Sequence, residues 1–159
     1  MTNRKVKSID ITEVDFGKNV TIVKPVNLYG CIIKDNAFIG PFVEIQKNAI
    51  IGERTKIQSH SFVCELVEIG KDCFIGHGVM FINDIFMDSR VAGGDKSLWK
   101  STIISDRVLI GSNSTILPVE ICSDVVIGAG TLVNKNITSP GTYIGNPMRR
   151  LKNKEDYEC

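Results

Sequence analysis

Asn83 and Asp84 set an amide beside a carboxylate, and Glu65 stands eighteen residues before Asn83. In a chain that coils with an 18-residue turn, Glu65 would lie one coil below Asn83, on the same corner. Two carboxylates and an amide brought together can hold an incoming ammonium group, help it lose a proton and orient the neutral amine. Carboxylates that share a site also push their pKa values apart, which suits proton handling. Asn and Asp are equally ordinary turn residues, so the same pair also reads as a polar corner. His60 and His77 are the only histidines. An imidazole titrates near neutrality and suits a general base. His60 is expected to face the groove beside Glu65, and His77 follows Gly76 at a turn. Two imidazoles are too few for a three-histidine zinc site, and no metal is expected.

The elements that must position these groups show in the spacing. Ile33, Ile39, Ile45, Ile51, Ile57, Val63, Ile69, Ile75 and Phe81 recur every sixth residue. Four places after these, Ala37, Val43, Ala49, Thr55, Ser61, Val67, Cys73 and Val79 are small or β-branched, and Gly40, Gly52, Gly70 and Gly76 follow the apolar position. Neither a period of 3.6 nor one of 2 gives this pattern; a hexad repeat does, and it implies a parallel β-helix. Three hexads make one triangular coil, and neighbouring coils should stack about 4.8 Å apart.

An earlier stretch, Phe16, Ile22 and Leu28 with Val20, Val26 and Ile32 in the small slots, joins the run after a one-residue deletion. Residues 1–14 read as a lead-in. From Asp84 to about Thr102 the pattern vanishes into a loop that holds Gly93-Gly94 and the only tryptophan, Trp99. A loop this long in a compact repeat is more often functional than idle. The repeat resumes at Ile104, Ile110 and Ile116, loses a residue near Pro118, and continues at Ile121, Ile127 and Val133. Pro140 to Pro147 is turn-rich and closes the solenoid. Met148 to Cys159 is expected as a short helix or a loose end.

The 159 residues are read as one domain, 1–159. A net charge of +1 gives no electrostatic case for nucleic acid or an anionic membrane. No apolar run approaches the roughly 20 residues of a membrane span, and the polar start is not that of a secretory signal. Five cysteines without a CxxC read as reduced thiols in a cytoplasmic protein. Val23, Phe38, Phe42, Ile50, Phe62 and Phe74 fall on outward positions, more apolar than a monomer's surface should be, which argues for self-association.

The hexad rhythm, the loop, the run Gly76-His77-Gly78-Val79-Met80-Phe81-Ile82-Asn83-Asp84 and the ending Ile127-Gly128-Ala129-Gly130 with Gly145-Asn146-Pro147 together resemble the left-handed β-helix acyltransferases. Within them the chain looks most like the N-acetyltransferases of nucleotide-linked 3-amino sugars. The resemblance implies a left hand for the helix, a homotrimer with active sites between subunits, and acetyl-CoA lying in the groove between them. It implies a free amine attacking the thioester, an oxyanion forming and the CoA thiolate leaving. The acceptor so implied is a dTDP-linked 3-amino-3,6-dideoxyhexose for surface polysaccharide. The alternatives are a UDP-linked 3-amino uronic acid, an O-acetyltransferase, or a non-catalytic scaffold.

On that reading Asn83, Asp84, Glu65 and His60 carry the chemistry. On the cofactor side, Gly128-Ala129-Gly130 lets a ligand approach the backbone closely, and Gly111 and Pro147 complete the set. Lys135, Arg149 and Arg150 are candidates for the CoA phosphates. The sugar nucleotide would meet His77, Gln46, Gln58, Arg54, Arg90 and Trp99, although Trp99 can equally tuck the loop onto the solenoid.

Overall fold

A computed structural model describes residues 10–151 and shows a left-handed parallel β-helix. Each hexad gives a two- or three-residue strand and a turn. Three flat parallel sheets result, here termed A, B and C. Sheet A has seven strands: Ile11–Thr12, Asn27–Tyr29, Glu44–Ile45, Phe62–Val63, Met80–Phe81, Thr115–Ile116 and Leu132–Val133. Sheet B has six, from Asp15–Phe16 to Glu120–Ile121, and sheet C eight, ending at Arg149–Arg150. The chain visits C, A and B in turn.

The stacking follows the hexad arithmetic. Ile33 pairs with Ile51, Ile51 with Ile69, Ile39 with Ile57 and Ile57 with Ile75. Across the loop Ile69 meets Ile104 without loss of register. These side chains are essentially fully buried. Each buried isoleucine contributes roughly 1.5–3 kcal/mol relative to exposure. The small slots hold Ala37, Val43, Ala49, Thr55, Ser61, Val67, Cys73 and Val79, all buried. Where that slot carries a hydroxyl, the turn takes it up. Thr55 Oγ1 donates to the Gly70 carbonyl at 2.7 Å, and Ser61 Oγ donates to that of Gly76 at 2.8 Å.

Turn residues adopt the left-handed conformation coil after coil. Asn36, Asn48, Asp72, Asn113 and Asp124 take it readily, whereas Phe42, His60 and Leu66 take it against the steric preference of their side chains. Gly52 has no room for a Cβ, because the backbone of Gly70 in the next coil lies against it.

Three expectations need correction. The repeat begins at Ile11, which pairs with Leu28, and so includes part of the expected lead-in. Ile32 faces outward at 40% exposure, and Cys31 fills the small slot, because the one-residue deletion moves the inward position back by one. The tail does not form a helix over its described part. Arg149–Arg150 folds back antiparallel on Tyr143 and Ile144, with Met148 and Leu151 buried beneath. The remaining tail, with Lys152, Lys154 and Cys159, and the start with Arg4, Lys5 and Lys7, lie outside the described residues.

Candidate active site

Sheet A is bordered by two unlike edges, and the candidate residues divide between them. The edge where the chain leaves sheet A carries the loop and is termed the loop edge. Here Asn83 stacks on Glu65 as the 18-residue arithmetic requires, its Nδ2 donating to the Glu65 backbone carbonyl at 3.1 Å. The loop neck is closed by Lys100 N–H donating to the Asn83 carbonyl at 3.0 Å. Two 3-10 turns, Met87–Ser89 and Lys96–Leu98, shape the loop.

Glu65 is 9% exposed and is the one buried acidic residue among those described. Its carboxylate accepts from Lys96 Nζ through both oxygens, at 2.8 and 2.7 Å. The ammonium therefore reaches from the loop back onto the turn in the coil beneath it. The same ammonium lies 5.2 Å from the ring centre of half-buried Trp99, a cation–π distance. Trp99 thus belongs to the loop's own packing in this chain. Asp84 Oδ1 accepts from Phe86 N–H at 3.0 Å and Oδ2 from Ala92 N–H at 2.8 Å, so its carboxylate ties both ends of the loop's first half together.

From Glu65 a polar network runs down the outer face of sheet A. Gln46 Oε1 accepts from Glu65 N–H at 3.4 Å, and Gln46 Nε2 donates to Glu44 at 3.0 Å. Glu44 also accepts from Asn27 Nδ2 at 3.0 Å and from the Tyr29 hydroxyl at 3.4 Å. Burial, then the neighbouring charges of Glu44 and Glu65, push the Tyr29 hydroxyl above its ordinary pKa.

The edge where the chain enters sheet A is the glycine edge. Gly40, Gln58, Gly76, Gly111 and Gly128 stack in one column beside it, followed by Pro41, Ser59, His77, Ser112 and Ala129 in the next. His60 is exposed and stacks on Phe42, ring centres 4.8 Å apart. His77 Nδ1 lies 2.8 Å from Ser59 Oγ, and its backbone N–H donates to Ser112 Oγ at 3.2 Å. Gly111, Ala129 and Gly130 continue this edge upward. Gly111 admits no Cβ because the Ala129 backbone packs against it. Ile144 comes up against Gly128, which brings Pro147 and Arg149, opposite Ile144, to the same end.

The structure thus gathers His60, His77, Gln58, Gly111, Ala129, Gly130, Pro147 and Arg149 on the glycine edge. It gathers Glu65, Asn83 and Asp84 on the loop edge, with Arg90 and Trp99 in the loop and Lys135 leaving the last strand of sheet A. His60 does not stand beside Glu65. Four residues lie between them, and five rises of a strand span about 16 Å. Arg54 belongs to neither edge. On the corner between sheets B and C it donates to both oxygens of Asp72, at 2.6 and 2.8 Å. Arg107 repeats this with Asp124 higher up. Both aspartates are held below the ordinary carboxylate range by these guanidinium bonds.

Sequence reasoning missed Lys96, Glu44, Tyr29 and Ser59. The Ser59–His77 pair has the same 18-residue spacing as Glu65–Asn83 and was there to be read. Glu44 is the one charged residue at an outward strand position of sheet A among the described residues, a weaker signal. Lys96 lies in the loop, outside any register, and only folding brings it to Glu65. Among the described residues, no three His, Cys, Asp or Glu side chains stand together as a metal site, and no helix is long and apolar enough to cross a membrane.

Comparison with known proteins agrees with the repeat fold. Residues 30–65 match the family described as bacterial transferase hexapeptide (six repeats), and residues 101–135 match the hexapeptide repeat of succinyl-transferase. YvoF of Bacillus subtilis strain 168, named for an inferred acetyltransferase activity, is 46% identical over 57 residues, 35% of this chain and 33% of that protein. The bifunctional protein GlmU of Thermotoga sp. strain RQ2 is 35% identical over 156 residues, 89% of this chain and 33% of that protein. The chain thus spans about a third of the length of these two curated relatives. Among solved structures, a mutant of AntD, an N-acyltransferase from Bacillus cereus, in complex with dTDP and coenzyme A, superposes with a TM-score of 0.76. It shares 24% sequence identity, over 89% of this chain and 84% of that one.

Proposed function

We propose that this chain, residues 30–65 and 101–135 of which match hexapeptide-repeat transferase families, is an acetyl-CoA-dependent N-acetyltransferase. Its acceptor in this reading is the 3-amino group of a dTDP-linked 3-amino-3,6-dideoxyhexose, a building block for bacterial surface polysaccharide. The observation that carries the reading is the Glu65–Lys96 pair. A buried carboxylate costs free energy unless it is paired, and Glu65 is paired with a primary ammonium on the exposed side chain of Lys96. A site of that kind takes an alkylammonium group, which can exchange with the Lys96 ammonium, whereas a hydroxyl carries no charge with which to replace it. The complex of AntD with dTDP and coenzyme A supports the same pair of ligands on a shared fold.

In the proposed reaction Glu65 draws the sugar ammonium from solvent, Lys96 yields its place, and the Asn83 amide orients the nitrogen. After loss of one proton to water the amine lone pair attacks the thioester carbonyl carbon. The C–N bond forms, the carbonyl becomes an oxyanion, and its collapse breaks the C–S bond. The thiolate takes the second proton from the nitrogen, which leaves a neutral amide and the CoA thiol. The acetyl donor is read to lie along the glycine edge, where Gly111, Ala129 and Gly130 expose backbone and Arg149 offers a cation. Donor edge and acceptor edge lie on opposite borders of sheet A. They meet only if a second copy brings its glycine edge to this loop edge, which is how the proposal accounts for a trimer with active sites between subunits.

Steady-state kinetics of Glu65→Gln and Lys96→Met test this. Glu65→Gln keeps the shape and loses the charge, and should lower kcat/KM for the amino sugar by at least about 100-fold, the scale of a hydrogen-bonded charge pair. Lys96→Met should keep its turnover. Wild-type kinetics in Glu65→Gln would contradict the reading.

A further inference from the structure

We propose that Phe42, Glu44 and Asn27 form a nucleobase subsite at the lower end of the glycine edge, which takes a pyrimidine through its imide edge. The inference rests on the reading of the acceptor as a nucleotide-linked sugar and adds where its base is held. Phe42 is the first sign. It is 57% exposed and sits at φ 60°, in the left-handed region, where the equivalent turn positions carry Asn36 and Asn48. An aromatic residue there is strained as well as unburied, a combination that accumulates at ligand sites. One face of its ring is taken by His60.

The other side opens onto a cavity of about 190 Å³ lined by Pro25, Val26, Asn27, Phe42, Val43 and Glu44, without His60. That volume is below the roughly 300–1,000 Å³ of a pocket for a whole ligand and suits a single ring. A base seated there would extend the Phe42–His60 stack by one member. Base–aromatic stacking of this kind needs only a π-face.

The cavity wall supplies the edge recognition. Glu44 accepts three bonds, from Asn27, Gln46 and Tyr29, and forms no ion pair among the described residues. Its carboxylate offers about four lone-pair positions, so one remains for an N–H. Asn27 gives one amide hydrogen to Glu44 and keeps the other for a carbonyl oxygen. An acceptor beside a donor complements the N–H and C=O that adjoin on thymine, uracil and guanine, and of these the cavity of about 190 Å³ suits the single-ring bases. From this cavity the network passes from Glu44 through Gln46 to the Glu65 backbone N–H, by hydrogen bonds of 3.0 and 3.4 Å, so the base and the sugar of one nucleotide-linked sugar would lie on the same face of sheet A.

Titration calorimetry with thymidine, uridine, guanosine and adenosine monophosphates, on the wild type, Phe42→Asn and Glu44→Gln, tests the assignment. The two pyrimidine nucleotides should bind, and each substitution should weaken them about tenfold, the scale of one stacked base or one charge-assisted hydrogen bond. Coenzyme A affinity should not change. Asn is at ease at this φ, so Phe42→Asn should melt no lower than wild type, which separates a lost contact from a lost fold. Purine nucleotides bound as tightly as pyrimidines would overturn the base class. Unchanged pyrimidine affinity in both variants would overturn the location. Pyrimidine binding that depends on Phe42 and Glu44 without any acetylation of an amino sugar would leave the subsite standing and remove the acceptor reading. Acetylation with KM unaltered in both variants would do the reverse.

Discussion

Glu65 and Asp84 are both acidic and lie close in the fold, yet they meet different partners. Asp84 spends its two oxygens on the N–H groups of Phe86 and Ala92, so it acts as the loop's anchor. Glu65 spends its oxygens on one ammonium. The account therefore expects Asp84→Asn, which keeps one acceptor oxygen, to retain most turnover while hydrogen exchange quickens within residues 85–99. A collapse of kcat in Asp84→Asn with unchanged exchange would assign it to the chemistry instead. At this scale the sequence was half legible. Glu65 under Asn83 followed from spacing alone. Within one chain His60 does not lie beside Glu65, because the Phe62–Val63 strand carries the backbone from one border of sheet A to the other. Arg54 was equally open to the same arithmetic, since Asp72 lies eighteen residues on and claims its guanidinium.

At the scale of the coil, stability is carried by columns of isoleucine and by turns with no spare room. Ile57 sits between Ile39 and Ile75 and is fully buried. Ile57→Ala should cost about 2–5 kcal/mol, read as a fall in the urea midpoint. Gly52→Ala should cost comparably although it adds one methyl, because the new Cβ meets the Gly70 backbone, which cannot turn aside as a side chain would. A loss under about 0.5 kcal/mol in either would contradict the stacking described. The hexads made these columns readable before any coordinates. The antiparallel return of Arg149–Arg150 was not, because burial of Met148 and Leu151 under the last coil is a tertiary choice that no six-residue period announces.

For the whole molecule, two properties follow from what is buried and what is not. Burial pushes the Cys31 thiol up to about 11 and the Cys64 thiol to about 12. Below about pH 7.5 both stay protonated in folded and unfolded chains alike, and their contribution to stability is constant. Above it the unfolded chain releases its protons first, so stability should fall between about pH 9 and 12, by up to about 1.4 kcal/mol per thiol per pH unit. Urea midpoints should drop from pH 8 to pH 10.5 in the wild type and much less in a Cys31→Ala, Cys64→Ala variant. Equal drops would refute the cause. The outer face of sheet C leaves Phe74, Leu109 and Val126 exposed, a strip that a single copy would keep in water. Sedimentation should give three times the 17.5 kDa chain mass, and Leu109→Glu should reduce it. A wild-type monomer would remove the proposed meeting of the two edges.

The central claim is that this chain moves an acetyl group from CoA to a 3-amino sugar nucleotide. Thiol release from acetyl-CoA by the purified protein tests it most directly, scanned over dTDP-linked 3-amino and 4-amino sugars, a UDP-linked 3-amino uronic acid and plain sugar alcohols. The account predicts rapid release with a dTDP-linked 3-amino-3,6-dideoxyhexose, abolished by Glu65→Gln. Release with the alcohols alone, or none across the panel from folded trimeric protein, would contradict it.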